Sequence, residues 1–137
     1  VQQRAKAQAE ENLTKGNTFL AENAKKEGVV TLESGLQYKV IEEGSGETPT
    51  EKSKVTVHYR GTLLNGEEFD SSYKRGQPYT TPVTNVIKGW TEALQLMPVG
   101  SKWELYVPSN LAYGNSPRGP GGPNSALVFE VELIGIE

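Results

Sequence analysis

Val86-Ile87-Lys88-Gly89-Trp90 sets a Val-Ile pair before a tryptophan across a Lys-Gly step, where a short helix is expected to begin. Further on, Val107-Pro108-Ser109-Asn110-Leu111-Ala112-Tyr113-Gly114 ends a strand at a proline and then presents a tyrosine beside a glycine. His58-Tyr59 and Phe69-Asp70 add two more aromatics, the second with a carboxylate next to it. Residues of these types can wall an apolar pocket that carries a few placed hydrogen-bonding groups. Such a pocket suits a reaction that breaks no covalent bond.

Other chemistries find little support. The 137 residues contain no cysteine, which removes disulfides, thiolate metal sites and cysteine nucleophiles. His58 is the only histidine and has no histidine or cysteine partner for a metal. No serine elbow accompanies it either, so it is read as structural. Neighbouring residues of a strand point to opposite faces, so Glu10-Glu11, Glu42-Glu43 and Glu67-Glu68 are read as solvated surface, not acid–base pairs. The loop from Gly114 to Pro123 lacks the Gly-Lys-Ser/Thr step of a phosphate-binding loop.

Composition narrows the field further. A net charge of −3 gives no electrostatic reason to expect nucleic acid. No apolar run reaches membrane-spanning length, so no membrane insertion is expected. The start at Val1 reads as a processed or trimmed end, and an export signal would then lie outside the chain. The length suits one domain with an appended helix and a real core.

Two regions must position the pocket residues. Residues 1 to 28 are rich in Ala, Gln, Glu and Lys, all strong helix formers. Leu13, Gly16, Leu20 and Ala24 recur at helical spacing with Phe19 beside them, and Gly28 is a plausible stop after Lys25 and Lys26. So narrow a stripe fits a solvated helix lying partly against the domain, or a stalk leading to a partner or further segment. From Val29 to the end the pattern is strand-like. Leu36, Tyr38 and Val40 alternate with Gln37, Lys39 and Ile41, and Val55, Val57 and Tyr59 with Thr56, His58 and Arg60. Asn65-Gly66 predicts a type I′ hairpin turn. Trp90–Met97 is the one helical candidate in this region, stopped by Pro98. Trp103, Leu105 and Val107 form one strand face, and Leu127, Phe129, Val131 and Leu133 the inward face of a closing strand. The expected class is α+β, an antiparallel sheet curved around a short helix and preceded by a long helix.

Residues 36–137 resemble the FKBP-type peptidyl-prolyl cis/trans isomerases. The matching pieces are Val57-His58-Tyr59-Arg60-Gly61, Gly66-Glu67-Glu68-Phe69-Asp70-Ser71-Ser72, Val86-Ile87-Lys88-Gly89-Trp90, Ala112-Tyr113-Gly114 and Leu127-Val128-Phe129-Glu130-Val131-Glu132-Leu133. Five such pieces in order are a strong signal. At the front, Gly16-Asn17-Thr18-Phe19-Leu20, Asn23, Gly28-Val29 and Ser34-Gly35-Leu36-Gln37-Tyr38 are similar to the Mip/FkpA group of bacterial members. In that group a long helix joins the isomerase domain to an N-terminal dimerisation domain. The resemblance thus implies an isomerase domain with part of its stalk, and a homodimer only in a longer parent.

It also implies a pocket walled by Tyr59, Phe69, Asp70, Tyr79, Val86, Ile87, Trp90, Tyr113 and Phe129, with Trp90 as floor. The Ile87 N–H and the Tyr113 hydroxyl would hold substrate carbonyls, and Asp70 would be oriented by Tyr59 and paired with Arg75. The implied partners are proline-containing polypeptides and macrolides such as rapamycin, with no cofactor or metal. The implied location is the bacterial envelope or the exterior, although some relatives are cytoplasmic. Tyr79 departs from a common phenylalanine, and Gly121 stands near a position where a branched apolar residue is common. The loop from Asn115 to Pro123 is also one residue shorter than in the single-domain archetype, so its wall of the pocket should be lower. A competing reading from another class is a chaperone or binding module whose groove holds chains with little turnover; the retained aromatics favour the enzyme.

Overall fold

A computed structural model of the chain describes residues 2–64, 66–112 and 125–136, with the side chains of all of these except residues 2–9 and Arg75. A long helix, α1 (Gln2–Asn23), leads into β1 (Val29–Thr31) and β2 (Gln37–Glu42). The long strand β3 (Lys54–Thr62) follows, then β4 (Glu68–Ser71), the single turn α2 (Ser72–Arg75) and β5 (Tyr79–Pro82). Helix α3 (Lys88–Leu94), β6 (Lys102–Val107), a 3-10 turn at Ser109–Leu111 and β7 (Leu127–Ile136) complete the described chain.

The strands form one antiparallel sheet in the order β1-β2-β6-β7-β3-β4, with β5 also pairing β3. Because side chains alternate across a strand, β3 sends Val55, Val57 and Tyr59 to the same face as Phe129, Val131 and Leu133 of β7. Helix α3 lies on that face and buries Trp90, Ala93 and Leu94 against it. The expected α+β class, an antiparallel sheet with a short helix and a leading long helix, is the one found.

The other face of the sheet carries a second layer that strand alternation does not announce. Gln37 and Tyr106, paired across β2 and β6, are buried there by the end of α1. Gln37 Nε2 donates to the Leu20 carbonyl at 2.8 Å, and Asn23 Nδ2 donates to Gln37 Oε1 at 2.8 Å. The Phe19 ring meets Tyr106 at 6.0 Å. Conversely, Val40, expected on the buried face with Leu36 and Tyr38, is exposed.

Several local expectations are corrected. The β3–β4 connection is not a two-residue type I′ turn. Gly66 N–H donates to the Leu63 carbonyl and Leu63 N–H to the Glu67 carbonyl, and Gly66 has φ +90°. These bonds close a three-residue loop between Leu63 and Glu67 that ends on a left-handed glycine; Asn65 itself lies outside the described residues. Helix α3 begins at Lys88 and ends at Leu94, earlier at both ends than Trp90–Met97, since Ile87 is still extended and tighter turns take over before Pro98. It is also not the only helix in the strand-rich region, for α2 intervenes. Glu68 is not simply solvated: Lys74 Nζ and Arg60 Nε both reach its carboxylate at 2.8 Å. The hydrogen bond from Lys74 and then that from Arg60 hold its carboxyl below the usual range.

Candidate active site

The pocket forms where β3, β4, β7 and α3 converge. Trp90 enters from the first turn of α3, and four further rings assemble around it. Tyr59 stands edge-on to Trp90 at 5.0 Å, and Phe129 does so from the other side at 5.3 Å. Tyr79 meets Tyr59 at 5.9 Å, and Phe69 meets Phe129 at 5.6 Å. All four contacts are T-shaped, the arrangement that sets the positive edge of one ring against the negative face of the next. A chain of perpendicular rings cannot collapse into a flat stack, so it leaves a hollow of about 420 Å³. That volume lies within the range of small-ligand sites.

The lining consists of Tyr59, Phe69, Asp70, Tyr79, Asn85, Val86, Ile87, Trp90 and Phe129. Eight of the ten residues singled out from sequence therefore come together here. The other two, Tyr113 and the Arg75 side chain, lie outside the described residues, as does the loop from Asn115 to Pro123. Asn85 was missed by sequence reasoning. It is polar, exposed and held in a turn by its N–H to the Pro82 carbonyl, and no pattern singles it out.

Gly61 lets two of the rings meet. Its register partners are Phe129 on β7 and Asp70 on β4. A Cβ at this position would lie 2.6 Å from Phe69 Cζ and 2.9 Å from Phe129 Cε1. The missing side chain is thus the space that the two phenyl rings fill.

Polar groups at the hollow are few and fixed. The Tyr59 hydroxyl donates to Asp70 Oδ2 at 2.6 Å, while Asp70 Oδ1 accepts the Ser71 N–H at 2.9 Å. The Ile87 carbonyl accepts from the N–H groups of Trp90 and Thr91, but among the described residues no acceptor takes its own N–H. The Trp90 indole nitrogen is likewise buried with no partner among the described residues. His58 is tied elsewhere, to Ser72 Oγ and against the Tyr73 ring. Among the described residues no group of three or more acidic or histidine side chains could hold a metal.

This arrangement can bind an apolar ring and present hydrogen bonders around it, and among the described lining residues there is no serine, cysteine or histidine to form a nucleophile–base pair. Comparison with known proteins agrees in kind. The family model described as "FKBP-type peptidyl-prolyl cis-trans isomerase" matches residues 45–134, and that of the domain amino-terminal to it matches residues 1–40. The chain is 55% identical over 130 residues to an "Outer membrane protein MIP" of Legionella longbeachae, covering 94% of this chain and 56% of that one. It is 57% identical over 124 residues to an "FKBP-type 22 kDa peptidyl-prolyl cis-trans isomerase" of Escherichia coli, covering 88% and 59%. The chain thus spans little more than half the length of these relatives. The crystal structure of FkpA from Escherichia coli superposes with a TM-score of 0.94 at 44% identity, over 99% of this chain and 64% of that one. With family models matched along nearly its whole length and relatives this similar, the chain belongs to the FKBP-type peptidyl-prolyl cis-trans isomerases.

Proposed function

We propose that this chain accelerates cis/trans rotation about Xaa-Pro bonds in polypeptide substrates and so assists their folding. The observation that carries the reading is the ring-lined hollow with, at its edge, an Ile87 N–H that no acceptor among the described residues takes. Rotation about a peptide bond is slow because resonance must be lost, at a barrier of roughly 18–20 kcal/mol. Bonds before proline still interconvert only over roughly tens to hundreds of seconds. The twisted transition state has less charge separation than the planar amide, so an apolar cavity favours it relative to the ground state. Tyr59, Phe69, Trp90 and Phe129 supply that cavity for the proline ring.

The Ile87 N–H, and in the family's pattern the Tyr113 hydroxyl, would hold flanking carbonyls while the bond between them turns. Asp70 orients the Tyr59 phenol and need not move a proton. Tyr79, Val86 and Asn85 form the rim where neighbouring substrate residues lie, and in the family's pattern Arg75 would pair with Asp70. A macrolide such as rapamycin, a mimic of the twisted amide, would compete for the same hollow.

Residues 1–28 are read as the end of a stalk and residues 29–137 as the isomerase domain, with dimerisation a property of a longer parent. A bacterial envelope location is supported by the relative named as an outer membrane protein. Among the described residues no helix is long and apolar enough to cross a membrane. A protease-coupled assay on a proline peptide, with and without rapamycin, tests the activity. Rapamycin-sensitive acceleration at micromolar protein is expected; its absence would remove the enzyme.

A further inference from the structure

Tyr59 sits where β3 changes partners. Along one edge, β3 pairs with β5 through Val57 and with β4 from Arg60 onward. Neither β4 nor β5 pairs with His58 or Tyr59 in that interval, because β4 has ended at Ser71 and the chain turns into α2. A side chain stands in for the missing strand. The Tyr59 N–H donates to Ser72 Oγ at 2.7 Å, and the Ser72 hydroxyl reaches the Tyr59 carbonyl at 3.3 Å. The same oxygen lies 2.9 Å from His58 Nδ1. Ser72 is fully buried, so water does not offer an alternative partner. One hydroxyl, with one proton and two lone pairs, is spent entirely on residues 58 and 59.

We propose that Ser72 is a positioning residue for the isomerase pocket, its buried hydroxyl replacing a strand so that the Tyr59 phenol reaches Asp70. The inference rests on the isomerase reading of the pocket. The gap cannot simply be closed by extending β4, since the departure of the chain into α2 is what lets β5 return alongside Val57. Without the hydroxyl, the Tyr59 N–H is left buried and unpaired, and the backbone shifts to find an acceptor. The Tyr59–Asp70 bond is short and directional, so a small shift breaks it.

The test compares kcat and KM on a proline peptide for the parent, Ser72→Ala, Tyr59→Phe and the double variant, each corrected for its folded fraction. Ser72→Ala is expected to lower kcat/KM about tenfold, within the range that misplacement of catalytic groups produces. In the Tyr59→Phe background, where no phenol remains to place, the same change should cost less than about twofold. Unchanged activity of folded Ser72→Ala, or equal losses in both backgrounds, would overturn the assignment. If Ser72→Ala does not fold, Ser72→Cys, similar in size but a weaker hydrogen bonder, carries the same comparison. A parent without activity overturns the isomerase reading instead. The role of Ser72 is then read from the NMR signal of the Tyr59 hydroxyl proton. That signal should be protected in the parent and lost in the Ser72 variant; its persistence there would contradict the placement.

Discussion

The Tyr59 hydroxyl and the Asp70 carboxylate are joined across 2.6 Å in the wall of the ring-lined hollow, and the other Asp70 oxygen is held by the Ser71 amide. Both oxygens thus have fixed partners, the disposition of an orienting acceptor and not of a proton donor. Asp70→Asn keeps the shape but puts an amide where one acceptor stood. It should lower kcat/KM about three- to tenfold, the worth of roughly 1 kcal/mol for one hydrogen bond. The thermal midpoint should move little. Complete loss of turnover with unchanged substrate binding would contradict the orienting role.

Gly61→Ala tests whether the meeting of Phe69 and Phe129 depends on an absent side chain. The new methyl would collide with both rings, at 2.6 and 2.9 Å. Overpacking of this kind costs about 1–3 kcal/mol, to be read from urea denaturation. Because Phe69 must yield into the hollow, macrolide binding measured by calorimetry should weaken as well. Parent-like stability and affinity would contradict this.

Gln37→Leu tests the docking of α1. It removes the donor to the Leu20 carbonyl and strands the Asn23 amide in a buried site. A loss of about 1–3 kcal/mol is expected, with faster amide exchange over residues 16–23 and unchanged kcat/KM. Unaltered exchange would show that the helix is held elsewhere.

Alkaline pH probes the same interface through Tyr106. Burial, and then its hydrogen bond to Glu104, push the hydroxyl of Tyr106 above the ordinary tyrosine range. With a raised folded value, the contribution is complete below the unfolded value of about 10 and is lost as pH rises through the folded one. Stability of the parent should therefore fall more steeply above about pH 10 than that of Tyr106→Phe. Denaturation midpoints measured across this range decide it, and parallel curves would contradict the assignment.

The sheet was legible where one face alone is buried. Val55, Val57 and Tyr59, and Phe129, Val131 and Leu133, alternate because α3 covers only their side. Gln37 and Tyr106 were not legible, since their burial depends on α1 folding back over the opposite face. The turn α2 escaped because four residues carry no helical period. The hairpin type was misread because Asn-Gly serves both loop lengths, and the bonds of Leu63 to Gly66 and Glu67 decide between them. The pocket rings came from spaced motifs that resemble a family. Asn85 had no such signal, being placed only by the turn after Pro82.

Exchange NMR on a short proline peptide reads rotation itself, without a coupled protease. With micromolar protein, cis and trans peptide signals should exchange within seconds, against roughly tens to hundreds of seconds uncatalysed. The Ile87 amide and Trp90 indole resonances should shift saturably with peptide, and rapamycin should abolish both effects. Exchange at the uncatalysed rate, or acceleration that leaves both resonances unmoved, would contradict a hollow that grips proline while its amide turns.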